Sequence, residues 1–209
     1  MGTSMHVINW DDFLSGRWPA SDRHPSTPLA LTIGVFDGLH IGHRALISRI
    51  RAEESCIPTV VTFRENPMKT ISRNRSALDI FSLAGKLAFL EALGVELSVL
   101  IDFSPEFSMI NGRDFIGLLL GCHPVKLIAV GENFRCGQGS DTGATEIRHL
   151  AEARGVETWI APPVMDEGQP VSSSRIRQAL AAGRGAEADR LLGEPIIISP
   201  KAGRKWKSV

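Results

Sequence analysis

Two histidines three residues apart, His40 and His43, follow a glycine-bracketed turn, Gly34-Val35-Phe36-Asp37-Gly38. Glycine lets a backbone come close to a ligand, a helix N-terminus offers unpaired N–H groups and positive dipole, and imidazoles at this spacing share one helical face. The guest such a site favours is an anionic oxygen, above all a phosphate. Gly42 between the imidazoles keeps the floor open. The spacing alone also fits two histidines that merely cap a helix or face water. The glycine turn in front of them makes the phosphate reading the more specific one.

Two later segments share this character. Val130 to Gly139 carries Gly131, Asn133, Phe134, Gly137 and Gly139 where a strand runs into a turn. Glycine-rich turns alone are weak evidence, and a plain surface loop fits as well. In Val171-Ser172-Ser173-Ser174-Arg175-Ile176-Arg177, hydroxyls precede a helix with two cations in its first turn, the makings of an anion cradle. The plainer alternative is an N-cap serine with surface arginines. Taken together, the three segments describe a polyphosphate site.

The elements needed to position them are legible in outline. Alternating or unbroken apolar runs predict strands over Met5 to Trp10, Leu29 to Phe36, Ile57 to Phe63, Val95 to Ile101, Val125 to Val130 and Val156 to Ala161. Helical periodicity predicts helices over Ile41 to Glu54, Phe81 to Leu93, Arg113 to Leu120, Glu146 to Arg154, Ser173 to Ala182 and Ala186 to Leu192, with Gly94 and Gly155 as stops. Strand and helix alternate, so the expected fold is α/β, a doubly wound Rossmann-like parallel sheet. Ligands of such sheets sit beyond the carboxyl ends of the strands, where all three segments fall. Ser15 to Pro28 reads as a surface loop, and the polar stretch Glu65 to Ser76, with Lys69, Arg73 and Arg75 behind Arg64, as a mobile loop of the kind that closes over substrate. The expected division is one domain over 1–195 and a short basic tail over 196–209.

Bulk properties exclude several classes. Of 209 residues 43% are hydrophobic, ample for a core, and 23 Lys plus Arg balance 23 Asp plus Glu, which gives no general attraction to nucleic acid or anionic membrane. Cys56, Cys122 and Cys136 show neither disulfide-framework nor zinc-ligand spacing. Without a membrane-length apolar run or signal-peptide order, the expected location is the cytoplasm.

On GVFDGLHIGH (Gly34 to His43), TFRENP (Thr62 to Pro67), GENFRCGQG (Gly131 to Gly139), VSSSRIR (Val171 to Arg177) and LLGEP (Leu191 to Pro195), the chain resembles the HxGH nucleotidyltransferases. The closer resemblance is to the FAD synthetase module of bacterial bifunctional riboflavin kinase/FAD synthetases. It implies the fold of that superfamily and the reaction of ATP with FMN to give FAD and pyrophosphate, with Mg²⁺. It further implies that His40 and His43 stabilise the α-phosphate transition state and the departing pyrophosphate, with Arg177 as their catalytic partner. Ser173, Ser174 and Arg177 would hold the β- and γ-phosphates, with Arg175 beside them, and Gly34, Phe36, Asp37, Gly38 and Gly131 would serve the nucleotide. Thr62, Phe63, Asn66, Pro67, Asn133 and Phe134 would lie on the flavin side. Magnesium would ride on phosphate oxygens, so no protein ligand is assigned.

Departures from the family pattern mark the flavin side. Many relatives read FxPHP where this chain has Phe63-Arg64-Glu65-Asn66-Pro67, and Cys136 and Gln138 stand where Phe and a basic residue are common. Relatives continue past their LLGRPY into a kinase barrel, so a stand-alone FMN adenylyltransferase supplied by a separate riboflavin kinase is expected. Two alternatives stay open: a sister HxGH transferase with another phosphate acceptor, and a flavin- or nucleotide-binding module with weak or lost turnover.

Overall fold

The computed structural model describes residues 4–16, 26–71 and 79–193; most of the loop 15–28, residues 72–78 of the polar loop and the basic tail lie outside the described residues. The chain opens with β1 (His6–Asn9) and α1 (Trp10–Leu14), whose first turn is capped by the Asn9 side chain. Next come β2 (Leu29–Ile33), α2 (Ile41–Arg51), β3 (Ile57–Phe63), the short α3 (Met68–Ile71), α4 (Leu83–Ala92) and β4 (Leu97–Ile101). They are followed by α5 (Pro105–Ser108), α6 (Gly112–Cys122), β5 (Val125–Gly131) and a small hairpin of β6 (Arg135–Cys136) and β7 (Thr142–Gly143). The described chain ends with α7 (Ala144–Glu152), β8 (Glu157–Ala161), a second hairpin of β9 (Met165–Asp166) and β10 (Gln169–Pro170), then α8 (Ser173–Ala181) and α9 (Gly185–Leu192).

The main sheet has six strands in the order β1-β4-β3-β2-β5-β8, every neighbouring pair parallel. The chain winds outward from β2 through β3 to β4, then returns to lay β5 on the other side of β2. The order reverses between β2 and β5, which opens a crevice at their carboxyl ends. Burial on both faces explains the near-continuous apolar strands: all five residues of β2 are buried, with Leu29, Leu31 and Ile33 in one core cluster and Ala30 in the other. The first cluster takes Trp10, Phe13, Phe115, Ile116 and Ile147 from α1, α6 and α7, and the second takes Leu46, Ile47, Ile50, Phe89 and Leu90 from α2 and α4. A third, smaller cluster joins α8 to α9 through Ile176, Ala179, Ala188, Leu191 and Leu192, and Ile80 and Phe81 pack against it.

The differences from expectation have local causes. The strand expected to reach Phe36 stops at Ile33 because the backbone turns from Gly34 onward, with Phe36 and Leu39 at positive φ. The polar loop after β3 begins with α3, started by the Asn66 side chain, whose Oδ1 accepts from the Met68 N–H at 3.0 Å. Helix α5 has a serine cap, Ser104, ahead of Pro105, and is too short to show periodicity. The two-residue strands of the hairpins are likewise too short to leave an alternating pattern.

Candidate functional site

The loop between β2 and α2 is held by plugs on its underside. Phe36 (φ 51°) and Leu39 (φ 41°) are fully buried in the core cluster beneath α2 and α4. Positive φ costs a non-glycine residue about 1–3 kcal/mol, so the conformation persists because the two side chains are locked below it. Gly38 has φ +89°, and a Cβ there would lie 2.9 Å from Ile80 Cδ1. A Cβ on Gly34 would press the Phe36 ring at 3.2 Å. Phe36, expected at the nucleotide, is therefore a floor: its ring centroid lies 4.9 Å from that of His43.

His40 is the N-cap of α2. Its Nδ1 accepts from the His43 N–H at 3.3 Å, which leaves the proton of the neutral ring on Nε2. The two imidazoles stack with centroids 3.7 Å apart and planes 17° apart. His40 thus caps the helix and presents a donor edge at once, so the two readings of the histidine pair are compatible. Gly42 gives this packing room, since a Cβ there would meet the His40 ring at 3.2 Å, closer than ordinary contact. Burial pushes His40 down to about 4, and His43 falls well below its ordinary value, first through burial and then through the charge of His40. Both rings are neutral at pH 7. His43 Nδ1 is buried with no hydrogen-bond partner among the described residues.

Asp37 joins this loop to the far end of the chain. Only 7% exposed, it accepts from the Ile80 N–H at 2.9 Å and forms an ion pair with Arg177, while its backbone carbonyl accepts from the Ser173 hydroxyl. The first turn of α8 is thereby set against the loop that leads into α2, and Ser174 stands exposed on that turn. These bonds make Asp37 the support of Arg177. Arg175 also departs from expectation. Its guanidinium is taken up by Asp166 at 2.6 Å and Glu187 at 3.0 Å, and it donates to the Asp166 carbonyl at 2.9 Å, which fastens the β9–β10 hairpin to α8 and α9. Ser172, absent from the expected set, caps α8 by accepting from the Arg175 N–H.

At the end of β3, Thr62 is fully buried, so it is no surface for a ligand: its hydroxyl donates to the Val35 carbonyl at 3.0 Å. Phe63 is partly buried and packs edge-on against Phe103 and Phe107. Asn66 and Pro67 are buried beside it. A cleft between the two strand ends and α4 is lined in part by Asp37, Arg64, Asn66, Asp79, Phe81 and Lys86. Lys86 is absent from the expected set; its signal is a lone cation within the apolar run Leu83–Ala92.

Gly131 ends β5, Asn133 is exposed beyond it, and Phe134 packs against the core. Gly137 is explained by packing: a Cβ there would meet the Gly112 N at 2.1 Å, where the loop crosses the start of α6. Cys136 is pushed up to about 12, first by burial and then by Asp141, and is inert as a nucleophile at neutral pH. Among the described residues no group of three or more His, Cys, Asp or Glu side chains is arranged to hold a metal ion, and no helix is long and apolar enough to cross a membrane.

A stacked imidazole pair at a helix N-terminus, set at the switch point of a parallel sheet, is an arrangement comparison can place. The family model for FAD synthetase matches residues 22–175. The chain belongs to the FAD synthetase family. It is 32% identical over 179 residues to the bifunctional riboflavin kinase/FMN adenylyltransferase of Escherichia coli (strain K12), an alignment covering 84% of this chain and 57% of that protein. The protein of the same description from Listeria monocytogenes is 27% identical over 184 residues, covering 83% and 58%. The chain thus spans a little under three fifths of the length of these curated relatives. Among solved structures, one described as a macrolide-efflux protein from Streptococcus pneumoniae superposes with a TM-score of 0.78 at 28% identity, over 91% of this chain and 62% of that one. The FAD synthetase match spans the histidine pair, Asp37, the end of β3, the β5 loop and the first turn of α8 as far as Arg175.

Proposed function

We propose that the chain is an FMN adenylyltransferase, which joins the phosphate of FMN to the α-phosphorus of ATP and releases pyrophosphate. The observation that carries this reading is the stacked His40–His43 pair at the start of α2, with Ser173 and Arg177 bonded to Asp37 of the loop just before it. Adenylyl transfer needs no covalent nucleophile from the protein; it needs the attacking and leaving oxygens held in line and their charge neutralised. A neutral His40 imidazole donating from Nε2, the neutral His43 ring beside it, free N–H groups at the start of α2 and the Arg177 guanidinium are groups suited to that task. The His43 side chain and the Nε2–H of His40 would bear on the α-phosphate and the departing oxygen. Ser174 and Arg177 would bear on the β- and γ-phosphates, which requires Arg177 to turn from Asp37 or share itself with the ligand. Phe63, Asn66, Pro67, Asn133 and Phe134 are the proposed flavin side.

The ATP is taken as its magnesium complex, the ion held by phosphate oxygens and water, which asks for no protein cage. The proposed unit is a nucleotidyltransferase domain over 1–195 working in the cytoplasm. Intact histidines favour turnover over a binding-only module, since a binder gains little from paired imidazoles at a transferring phosphorus.

The test is to incubate purified protein with ATP, Mg²⁺ and FMN and follow FAD and pyrophosphate, with riboflavin in place of FMN in a parallel reaction. FAD from FMN is the expected result, and the riboflavin reaction shows whether FMN itself is the acceptor. Flavin binding without pyrophosphate release would replace the enzyme by a binding module. Pyrophosphate formed only with another phosphate acceptor would replace the substrate.

A further inference from the structure

The ammonium of Lys86 is buried inside the proposed site. Lys86 lies on the first turns of α4, is 8% exposed, and reaches under the carboxyl ends of β2 and β3. Its Nζ donates to the Phe63 carbonyl at 2.7 Å, to Thr62 Oγ1 at 3.3 Å and to the Val35 carbonyl at 3.4 Å. The Thr62 hydroxyl in turn donates to that same Val35 carbonyl at 3.0 Å. An ammonium has three donors, and three acceptors within the protein account for them. This cation is spent on two backbone carbonyls and the Thr62 hydroxyl. It has none left over for a substrate phosphate.

The two carbonyls it holds each stand at the head of a site segment. Val35 immediately precedes the turn in which Phe36, Gly38 and Leu39 all have positive φ, and that turn delivers Asp37 and His40. Phe63 ends β3 and precedes Arg64 and Asn66, which line the cleft. Burial of an ammonium is unfavourable unless it is bonded and has charge nearby; burial pushes Lys86 down to about 8, against the opposing influence of Asp37 and Asp79. A methionine would satisfy the packing of α4 without that cost. The lysine is therefore accounted for by its carbonyl partners.

We propose that Lys86 is a positioning residue for adenylyl transfer: it ties the phosphate loop after β2 to the flavin-side segment after β3 and so fixes the separation of the two substrates' reacting groups. This rests on the reading of the site as an FMN adenylyltransferase. It predicts a defect in the chemical step rather than in holding either substrate, because the reacting atoms tolerate displacement far less than the binding contacts do.

The test compares Lys86→Met, Lys86→Gln and Lys86→Arg with the parent protein in steady-state kinetics and in hydrogen exchange read by mass spectrometry. Lys86→Met should lower kcat by about tenfold to a hundredfold, with the KM values for ATP and FMN changed no more than about threefold. Lys86→Arg, which keeps the charge and donors, should recover part of the loss. Without ligands, Lys86→Met should exchange faster in 34–40 and 62–66 and unchanged in β5. A kcat within twofold of the parent would overturn the proposal, as would a rise in both KM values at constant kcat. If Lys86→Met does not fold, Lys86→Gln is held to the same criteria. Should the parent make no FAD, the adenylyltransferase reading fails by itself. The exchange measurement then still judges the tie: faster exchange in both segments upholds it, and unchanged exchange refutes it.

Discussion

The Asp37 carboxylate and the Arg177 guanidinium, 140 residues apart in sequence, form an ion pair that joins the loop before α2 to the first turns of α8. The same loop residue accepts from Ser173 through its carbonyl, so side chain and backbone hold α8 in one orientation. A guanidinium at the edge of an anion site, held by a buried carboxylate, is pre-oriented for phosphate. Arg177→Ala should therefore raise the KM for ATP by about tenfold to a hundredfold, the range of a lost charge-assisted hydrogen bond. Unchanged ATP dependence would remove Arg177 from the phosphate site.

For His43 the expectation differs, because its contacts should strengthen as charge develops on the transferring phosphate. His43→Ala should lower kcat by about a hundredfold or more while the dissociation constant of a nonhydrolysable ATP analogue shifts only a few-fold. Equal losses in both would assign the ring to ground-state binding. The stacked geometry over Phe36 makes the effect local, and far-ultraviolet dichroism should be unaltered.

Elements that leave a period were legible in the sequence. The six main strands and the long helices did so, since two-sided burial gives β2 and β3 near-continuous apolar runs. So did the histidine pair, whose spacing is read directly on a helix. The partners of the two arginines at the start of α8 were not legible: the fold brings Asp166 and Glu187 to Arg175 and Asp37 to Arg177. The fully buried Phe36 and Thr62 belong to conspicuous motifs, yet their side chains face inward. Lys86 escaped because its partners are mostly carbonyls, and a carbonyl has no signature in sequence.

Gly42 separates function from stability. Replacing it with alanine improves helix propensity by up to about 1 kcal/mol. The new Cβ would stand 3.2 Å from the His40 ring, which must shift by a few tenths of an ångström against His43. Gly42→Ala should retain or slightly raise the unfolding temperature and lower kcat by about tenfold or more. A variant as active as the parent would mean that the stack is not needed for turnover.

Arg175 gives the converse result. Its bonds to Asp166, Glu187 and two backbone carbonyls hold the β9–β10 hairpin and α9 against α8. Arg175→Met should lower the unfolding temperature by a few degrees and leave the KM for ATP, measured below that temperature, within about twofold of the parent. A large rise in that KM without loss of stability would return Arg175 to the phosphates.

Stability should fall on the acid side through the buried histidine pair. In the unfolded chain His40 takes a proton near its ordinary 6.5, whereas in the fold burial holds it down to about 4. Between those values the unfolded state binds more protons, so stability rises with pH through that window and is lost as pH falls through it. For His40 the loss is on the order of 3 kcal/mol by pH 4, and His43, lowered as well, acts in the same direction. His40→Asn keeps an acceptor for the His43 N–H and removes the titrating ring. Urea unfolding at a series of pH values should show the parent losing stability steeply from about pH 6.5 to 4 and the variant less steeply over that window. Parallel curves would mean that the ring titrates as it does in water, and that the imidazole pair is not held neutral by burial.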